Sequence, residues 1–394
     1  MNIETDRAPL DKKQSAKPRP KIAIAHDYLT QRGGAERVVL AILRAFPEAT
    51  IYTTLYDPDG TYPEFRNAKI VVSPLNRFSI FRRHHRIALP FLPIAASTLK
   101  VPADVVVVSS TGWAHGFNMS GRVFVYCHSP ARWLYLTEQY LGAPAWGSLA
   151  GWAIALLKPL LRRWDQKAAH RANKYVANSS VVRQRIMDVY GINASVFHPP
   201  HSVDTSGERE PISGLEHFIL DGGHFLVVSR LLPYKNVDQA IEAFQGLDER
   251  LLIIGEGPLS DRLQASLPKN VRLVSGLTDA QMRWAYATCA AVIAPSHEDF
   301  GLTPLEAAAW GKPTIALRAG GYLDTIVEGA TGIFIEKPEA AQIRESVLQF
   351  QAEEWDVDSI RSHAAKFSEE GFRARLHREI AAVANREPNS VGRS

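Results

Sequence analysis

The chain has 394 residues, more than one ordinary hydrophobic core accommodates, which points to two domains. Apolar residues make up 46% and charged residues 22%, the balance of a globular chain, and a net charge of +4 is too mild to argue for nucleic acid. The only two cysteines, Cys127 and Cys289, exclude a disulfide framework and form no metal or redox spacing, which fits a reducing, intracellular compartment.

Residues 1–20 are polar and carry Lys12, Lys13, Lys17 and Arg19 without an apolar centre, so they read as a disordered basic arm rather than a signal peptide. From Lys21 the chain alternates strand and helix. Strands are expected at 21–25, 49–54, 68–73, 104–109, 122–126 and 174–177, with a helix at 33–46 spaced by Val38, Leu40, Leu43 and Phe46. A polar Gly- and Pro-containing link follows near 206–221. The alternation then restarts, with strands at 224–228, 250–254, 271–274, 291–294 and 314–317 and helices at 237–244, 279–288, 303–310 and 340–354. Short apolar strands between helices imply two parallel sheets wrapped by helices, an α/β chain of two Rossmann-like domains. The divisions expected are 21–205, 206–365 and a C-terminal helix and tail at 366–394 that returns to the first domain. No run reaches the roughly 18 apolar residues that span a bilayer. Ligands of such sheets sit beyond the strand C-termini, so the cleft between the domains is the expected site.

Three segments face that cleft. In Pro295-Ser-His-Glu-Asp-Phe-Gly-Leu-Thr-Pro-Leu-Glu306 a strand end meets a helix start, with Pro304 in the first turn. The free N–H groups of Phe300, Gly301, Leu302 and Thr303 suit an anion, and Glu298 and Glu306 add carboxylates that accept from paired hydroxyls. Ser229-Arg-Leu-Leu-Pro-Tyr-Lys-Asn-Val-Asp238 sets Arg230 and Lys235 at a neighbouring strand end, a fork and a point charge able to neutralise a diphosphate. Gln31-Arg-Gly-Gly-Ala-Glu36 permits close backbone approach at Gly33 and Gly34. Taken singly, each has a bland reading: Glu298 as a solvated loop acid, Glu306 as charge at a helix start, Arg230 and Lys235 as surface cations. Asp57-Pro-Asp59 mimics a metal-binding DxD pair, but Pro58 and Gly60 make it a turn.

Together these residues resemble the retaining glycosyltransferases of family GT4. Glu298 and Glu306 match the EX7E spacing, 229–238 is similar to the diphosphate-binding segment, and Gly33-Gly34, Tyr126-Cys-His-Ser-Pro130 and Ala319-Gly-Gly-x-x-Asp324 fall in the expected order. The resemblance, which covers roughly 21–380, implies the GT-B fold of two facing Rossmann-like domains with a central cleft. It implies that Arg230 and Lys235 hold the donor diphosphate, that Glu306 binds the ribose and Glu298 the donor sugar, and that backbone N–H groups of Phe300, Gly301 and Leu302 assist. His128 would contact the sugar near the reacting carbon, Gly33 and Gly34 would lie under the phosphates, Asp27 would face the acceptor, and Asp279 would lie near the base. No metal is implied. Within the family, the run at 126–130, Leu89-Pro-Phe-Leu-Pro93 and 229–235 look most like bacterial polysaccharide mannosyltransferases, which use GDP-mannose and lipid-linked acceptors. Ser229, Asp299 and Asp324 depart from residues frequent in the family, which are Gly, Gly and Glu.

Other readings stay open: a UDP-sugar donor with another acceptor, or a non-catalytic subunit that binds sugar nucleotides. Phe81, Ile87, Leu89, Phe91 and Leu92 beside Arg82, Arg83 and Arg86, and Trp152–Leu157 beside Lys158, Arg162 and Arg163, suit docking on an anionic membrane surface as well as they suit core helices with basic faces.

Overall fold

The structure is a computed structural model that describes residues 20–84, 88, 91–136, 149–219, 223–350 and 354–385, with the backbone alone for 149–155. The basic arm, the tail beyond 385, Arg86, Ile87, Leu89 and the side chains of Trp152 to Ala155 lie outside the described residues.

The first half supplies β1 (Ile22–His26), β2 (Thr50–Thr53), β3 (Ile70–Val72), β4 (Lys100–Val101), β5 (Val105–Ser110), β6 (Asn118–Met119), β7 (Arg122–Cys127), β8 (Lys174–Ala177) and β9 (Ser195–Val196). Seven of these form a parallel sheet of order β3-β2-β1-β5-β7-β8-β9, and β4 and β6 pair separately. The second half supplies β10 (His224–Val228), β11 (Arg250–Ile254), β12 (Val271–Val274), β13 (Ala291–Ala294), β14 (Thr314–Leu317) and β15 (Gly332–Ile335). They form a parallel sheet of order β12-β11-β10-β13-β14-β15.

Apolar runs become central strands because both faces are covered. Along β5, Val106 and Val108 pack into one core, and Val105 and Val107 into the core on the opposite face. Along β11, Leu251 and Ile253 face one layer, and Leu252 and Ile254 the other. Each sheet reverses its strand order beside its first strand, between β1 and β5 and between β10 and β13. Loops leaving the two strands diverge there and open a crevice. The loops carrying Gly33, Arg230 and Glu298 leave β1, β10 and β13 at these points.

The last helix, Glu369–Asn385, lies against the first sheet. Phe372, Leu376, Ile380 and Val383 join the core that holds Ile24, Val38 and Val105. Arg44 grips Glu369 at 2.6 Å, and the Arg122 guanidinium donates to the Val383 carbonyl at 2.9 Å.

Differences from the sequence reading are local. The helix expected at 303–310 is Leu302–Ala309, started one residue earlier by Gly301 at φ +83. The helix expected to reach Glu354 is described over Ala340–Phe350, and Glu354 itself lies outside it; the Phe350 ring is buried and stacks on Trp355. The helix Ser180–Tyr190 and strand β15 were not anticipated. No helix among the described residues is long and apolar enough to cross a membrane.

Candidate active site

A cleft of about 780 Å³ separates the facing strand ends. Its C-terminal wall is built from two loops. After β10 the chain turns through Pro233–Lys235 into Asn236, which takes the left-handed conformation at φ +53. The Asn236 side-chain amide donates to the Pro295 carbonyl at 2.9 Å and so ties the Arg230–Lys235 loop to the one after β13. The second loop rests on the Ala319–Asp324 turn: Gly321 N donates to the Glu298 carbonyl at 2.8 Å, and a Cβ on Gly321 would strike Phe300. Gly301 is held at positive φ against the Tyr322 ring, where a side chain would collide.

This packing aims charge inward. Lys235 Nζ pairs with Glu298 Oε1, which also accepts from Ser296 Oγ at 2.8 Å. Arg230 is exposed on the cleft wall, and among the described residues its side chain has no ion-pair partner. The N–H groups of Phe300, Gly301 and Leu302 find no acceptor among the described residues, and the Phe300 ring is buried on His198. The wall therefore offers two cations, a carboxylate and a helix N-terminus within one concavity, a set suited to a diphosphate joined to a polyol.

The opposite wall is the start of the helix Gly34–Ala45, with Gly33 as its N-cap. A Cβ on Gly34 would lie 3.4 Å from Leu302 Cδ1, so two helix N-termini approach each other across the cleft. His128 lines this wall while only 8% exposed. Burial, with His26 nearby, pushes its pKa down to about 3.

Three anticipated residues stand elsewhere. Asp27 is fully buried and does not line the cleft. Its Oδ2 accepts from the Thr111 N–H and, at 2.9 Å, from Thr111 Oγ1, while Oδ1 accepts from Trp113 N at 2.8 Å and Ala114 N at 2.6 Å. With these donors filling its oxygens, Asp27 shapes the loop at 111–114 instead of facing an acceptor. Asp279 is exposed at the start of its helix, beside the Thr278–Gln281 capping box, and is not part of the cleft wall. Glu306 lies behind the wall, where Arg37 Nη1 meets Oε1 at 2.8 Å and Tyr286 OH donates to Oε2 at 3.1 Å. Burial works against the Arg37 charge, but Glu306, Tyr62 and Tyr286 together outweigh it and leave that pKa raised.

Arg37, Asn236 and Arg185 are functional candidates that the sequence reading missed. Arg185 Nη1 donates to Asp299 Oδ1 at 2.8 Å and to Ser129 Oγ at 2.7 Å, bridging the domains. Asp299, noted in the sequence as a departure from a frequent Gly, makes this contact. Arg37 and Arg185 look like ordinary helix-surface cations, and nothing in their sequence spacing separates them. The Asp57–Gly60 segment is a turn, with exposed Asp59 paired to Arg66.

Two facing parallel-sheet domains with a cleft between their strand ends are the GT-B fold. Anabaena HepE, solved with UDP-glucose, superposes with a TM-score of 0.65 at 16% identity, covering 92% of this chain and 100% of its own. The apo lipopolysaccharide outer core galactosyltransferase WaaB gives 0.59 at 17%, covering 92% and 99%. The family models "Glycosyltransferase Family 4" and "Glycosyl transferases group 1" match residues 32–206 and 217–372, and the chain belongs to the GT4 family. Among its relatives, the human alpha-1,3/1,6-mannosyltransferase ALG2 is 26% identical over 93% of this chain and 97% of its own. The Dictyostelium discoideum ALG2 is 25% identical over 79% and 85%. A Mycolicibacterium smegmatis GDP-mannose-dependent alpha-(1-6)-phosphatidylinositol monomannoside mannosyltransferase is 26% identical over 51% and 58%.

Proposed function

We propose that this glycosyltransferase moves mannose from GDP-mannose onto a lipid-linked or polysaccharide-precursor acceptor in cell-envelope glycan synthesis, with retention at the anomeric carbon. The observation that carries the reading is the convergence of Arg230, Lys235, Glu298 and the Gly301–Leu302 helix start on one cleft. Arg230 and Lys235 hold the diphosphate, and their charge grows in value as the leaving oxygen becomes anionic. Glu298 and the N–H groups at 300–302 orient the sugar. The acceptor hydroxyl attacks from the face that the diphosphate leaves, and the departing phosphate oxygen takes its proton, so no enzymic nucleophile is needed. Glu306 turns from Arg37 toward the ribose. The two cations and two helix N-termini supply the positive charge that a metal provides elsewhere, so transfer persists in EDTA. The second domain is the donor side and the first the acceptor side. Mannose and GDP draw support from the mannosyltransferases among the relatives.

The acceptor side also carries an apolar surface. Phe78, Ile80, Phe91, Ile94, Leu156 and Leu160 are exposed near the exposed cations Arg83, Arg162 and Arg163. Their helices adjoin through Phe81–Phe91 ring contact and a 3.1 Å bond from Trp164 Nε1 to Ser97 Oγ. Leu92 is buried and Phe81 half-buried, so part of this stretch is core. The exposed remainder suits an anionic leaflet on the cytoplasmic side. Sedimentation with anionic but not zwitterionic liposomes is expected, and equal recovery with both would remove this part of the reading.

The deciding experiment is thermal-shift screening of GDP-, UDP- and ADP-sugars, followed by NMR of the anomeric linkage in the product. A selective shift with GDP-mannose and an α-linked product are expected. A selective shift with a UDP-sugar overturns the donor, and an inverted linkage overturns the mechanism.

A further inference from the structure

Behind the acceptor-side wall, the ends of three adjacent strands carry a buried polar chain. Parallel register sets His26 of β1 opposite Ser109 of β5 and Ser109 opposite Tyr126 of β7; His128, two residues past Tyr126, reaches back to the Ser109 hydroxyl. Glu36, from the first turn of the Gly34–Ala45 helix, closes the chain behind His26. His26, Ser109 and Glu36 are almost fully buried.

Hydrogen-bond chemistry fixes the protons along it. His26 Nδ1 lies 2.9 Å from the Ser109 carbonyl oxygen, and a carbonyl only accepts, so His26 Nδ1 carries a proton. The same N–H lies 3.1 Å from Ser109 Oγ. That leaves the serine hydroxyl to donate its own proton to its other neighbour, His128 Nε2 at 2.8 Å. His128 Nε2 is therefore an acceptor. The ring stays neutral, its pKa held down near 3 by burial and then by His26, so its single proton sits on Nδ1. Among the described residues no protein group takes that proton, and His128 lines the cleft. Glu36 steadies the far end, with Oε1 3.9 Å from His26 Nε2. Burial pulls the His26 pKa down, but Glu36, Asp27 and the Ser109 carbonyl together outweigh it and leave it raised.

We infer that His26 and Ser109 are positioning residues that lock His128 as its Nδ1–H tautomer, so that it meets the substrate as a hydrogen-bond donor and not as a base. Given the glycosyl-transfer reading above, on which this last step rests, the recipient is a hydroxyl oxygen of the donor sugar. A base at this position would compete with the leaving phosphate for the acceptor proton, and the tautomer removes that competition.

The test is long-range ¹H–¹⁵N correlation on the full chain labelled at histidine, with the His128 signals assigned by their loss in His128→Gln. Wild type is expected to show a protonated Nδ1 and an unprotonated Nε2, unchanged between about pH 5 and 8. Ser109→Ala is expected to shift His128 toward the Nε2–H form and to lower kcat about tenfold, the worth of one hydrogen bond, with the donor KM little changed. His128→Asn, whose amide N–H reaches the Nδ1 position, is expected to retain more turnover than His128→Gln. An Nε2–H tautomer in wild type, or a spectrum unmoved by Ser109→Ala, overturns the inference. The tautomer is read without any donor present, so a correct tautomer in a protein that transfers no sugar would count against the function and not against this network.

Discussion

The two walls of the cleft use polar residues in opposite ways. Behind the N-terminal wall, Asp27, His26 and Ser109 are buried and spend their hydrogen bonds on neighbouring side chains and on the backbone. On the C-terminal wall, Arg230, Lys235 and Glu298 are reached by solvent, and Lys235 and Glu298 neutralise each other across the mouth of the site. The first wall is a fixed template whose polar groups shape backbone. The second is a set of charges held ready for a ligand.

Mutations that exchange these roles would break the contrast. The largest effect is expected from Lys235→Ala, which should lower kcat about 10²- to 10³-fold in steady-state assays. It should change unfolding free energy by less than about 1 kcal/mol, because the pair it breaks is partly solvated. Asp27→Ala should do the reverse at the level of stability. It strands the donors of residues 111, 113 and 114 and should cost about 3 kcal/mol in urea unfolding. A stable Asp27→Ala protein, or an unfolded Lys235→Ala one, would show that the walls are not divided in this way.

The paired histidines sharpen the contrast through pH. The His128 pKa is depressed, so its contribution to stability is present above the ordinary histidine value of 6.5 and is lost as pH falls toward about 3. The His26 pKa is raised, so its contribution is present below 6.5 and is lost as pH rises through its folded value. Thermal melts across pH should therefore show a shallower acid limb in His128→Asn and a shallower loss above neutrality in His26→Asn. The smallest effect is expected from Asp299→Gly. Removing the bond to Arg185 loosens one cross-domain tie and should raise the donor KM about fivefold, the equivalent of about 1 kcal/mol.

The C-terminal wall was legible in the sequence because its parts are local. Strands β10, β11, β12, β13 and β14 are short apolar runs bounded by polar or turn residues, and the charges follow directly at their ends. Asp27 also follows a legible strand, but whether its carboxylate meets a ligand or three backbone N–H groups depends on a loop more than 80 residues away. The Arg37–Glu306 pair joins residues 269 apart, and helical spacing carries no trace of it. Strand β15 escaped notice because Gly332-Ile-Phe-Ile335 is short and follows a turn, with only its partner β14 to make it a strand. Asp279 kept its place at a helix start but lies off the cleft wall, a matter of how far the loop after β12 reaches.

The pairing of Lys235 with Glu298 makes the cleft behave as an ion exchanger already loaded with its own counterion. Under the proposed function, an arriving diphosphate displaces Glu298 from Lys235 instead of stripping mobile salt from a bare cation. Its affinity should then depend less steeply on ionic strength than the count of positive groups suggests. Under the proposed function, the Glu298 carboxylate freed by the exchange is the one that orients the donor sugar, so the anionic half of the donor prepares the seat for its sugar half.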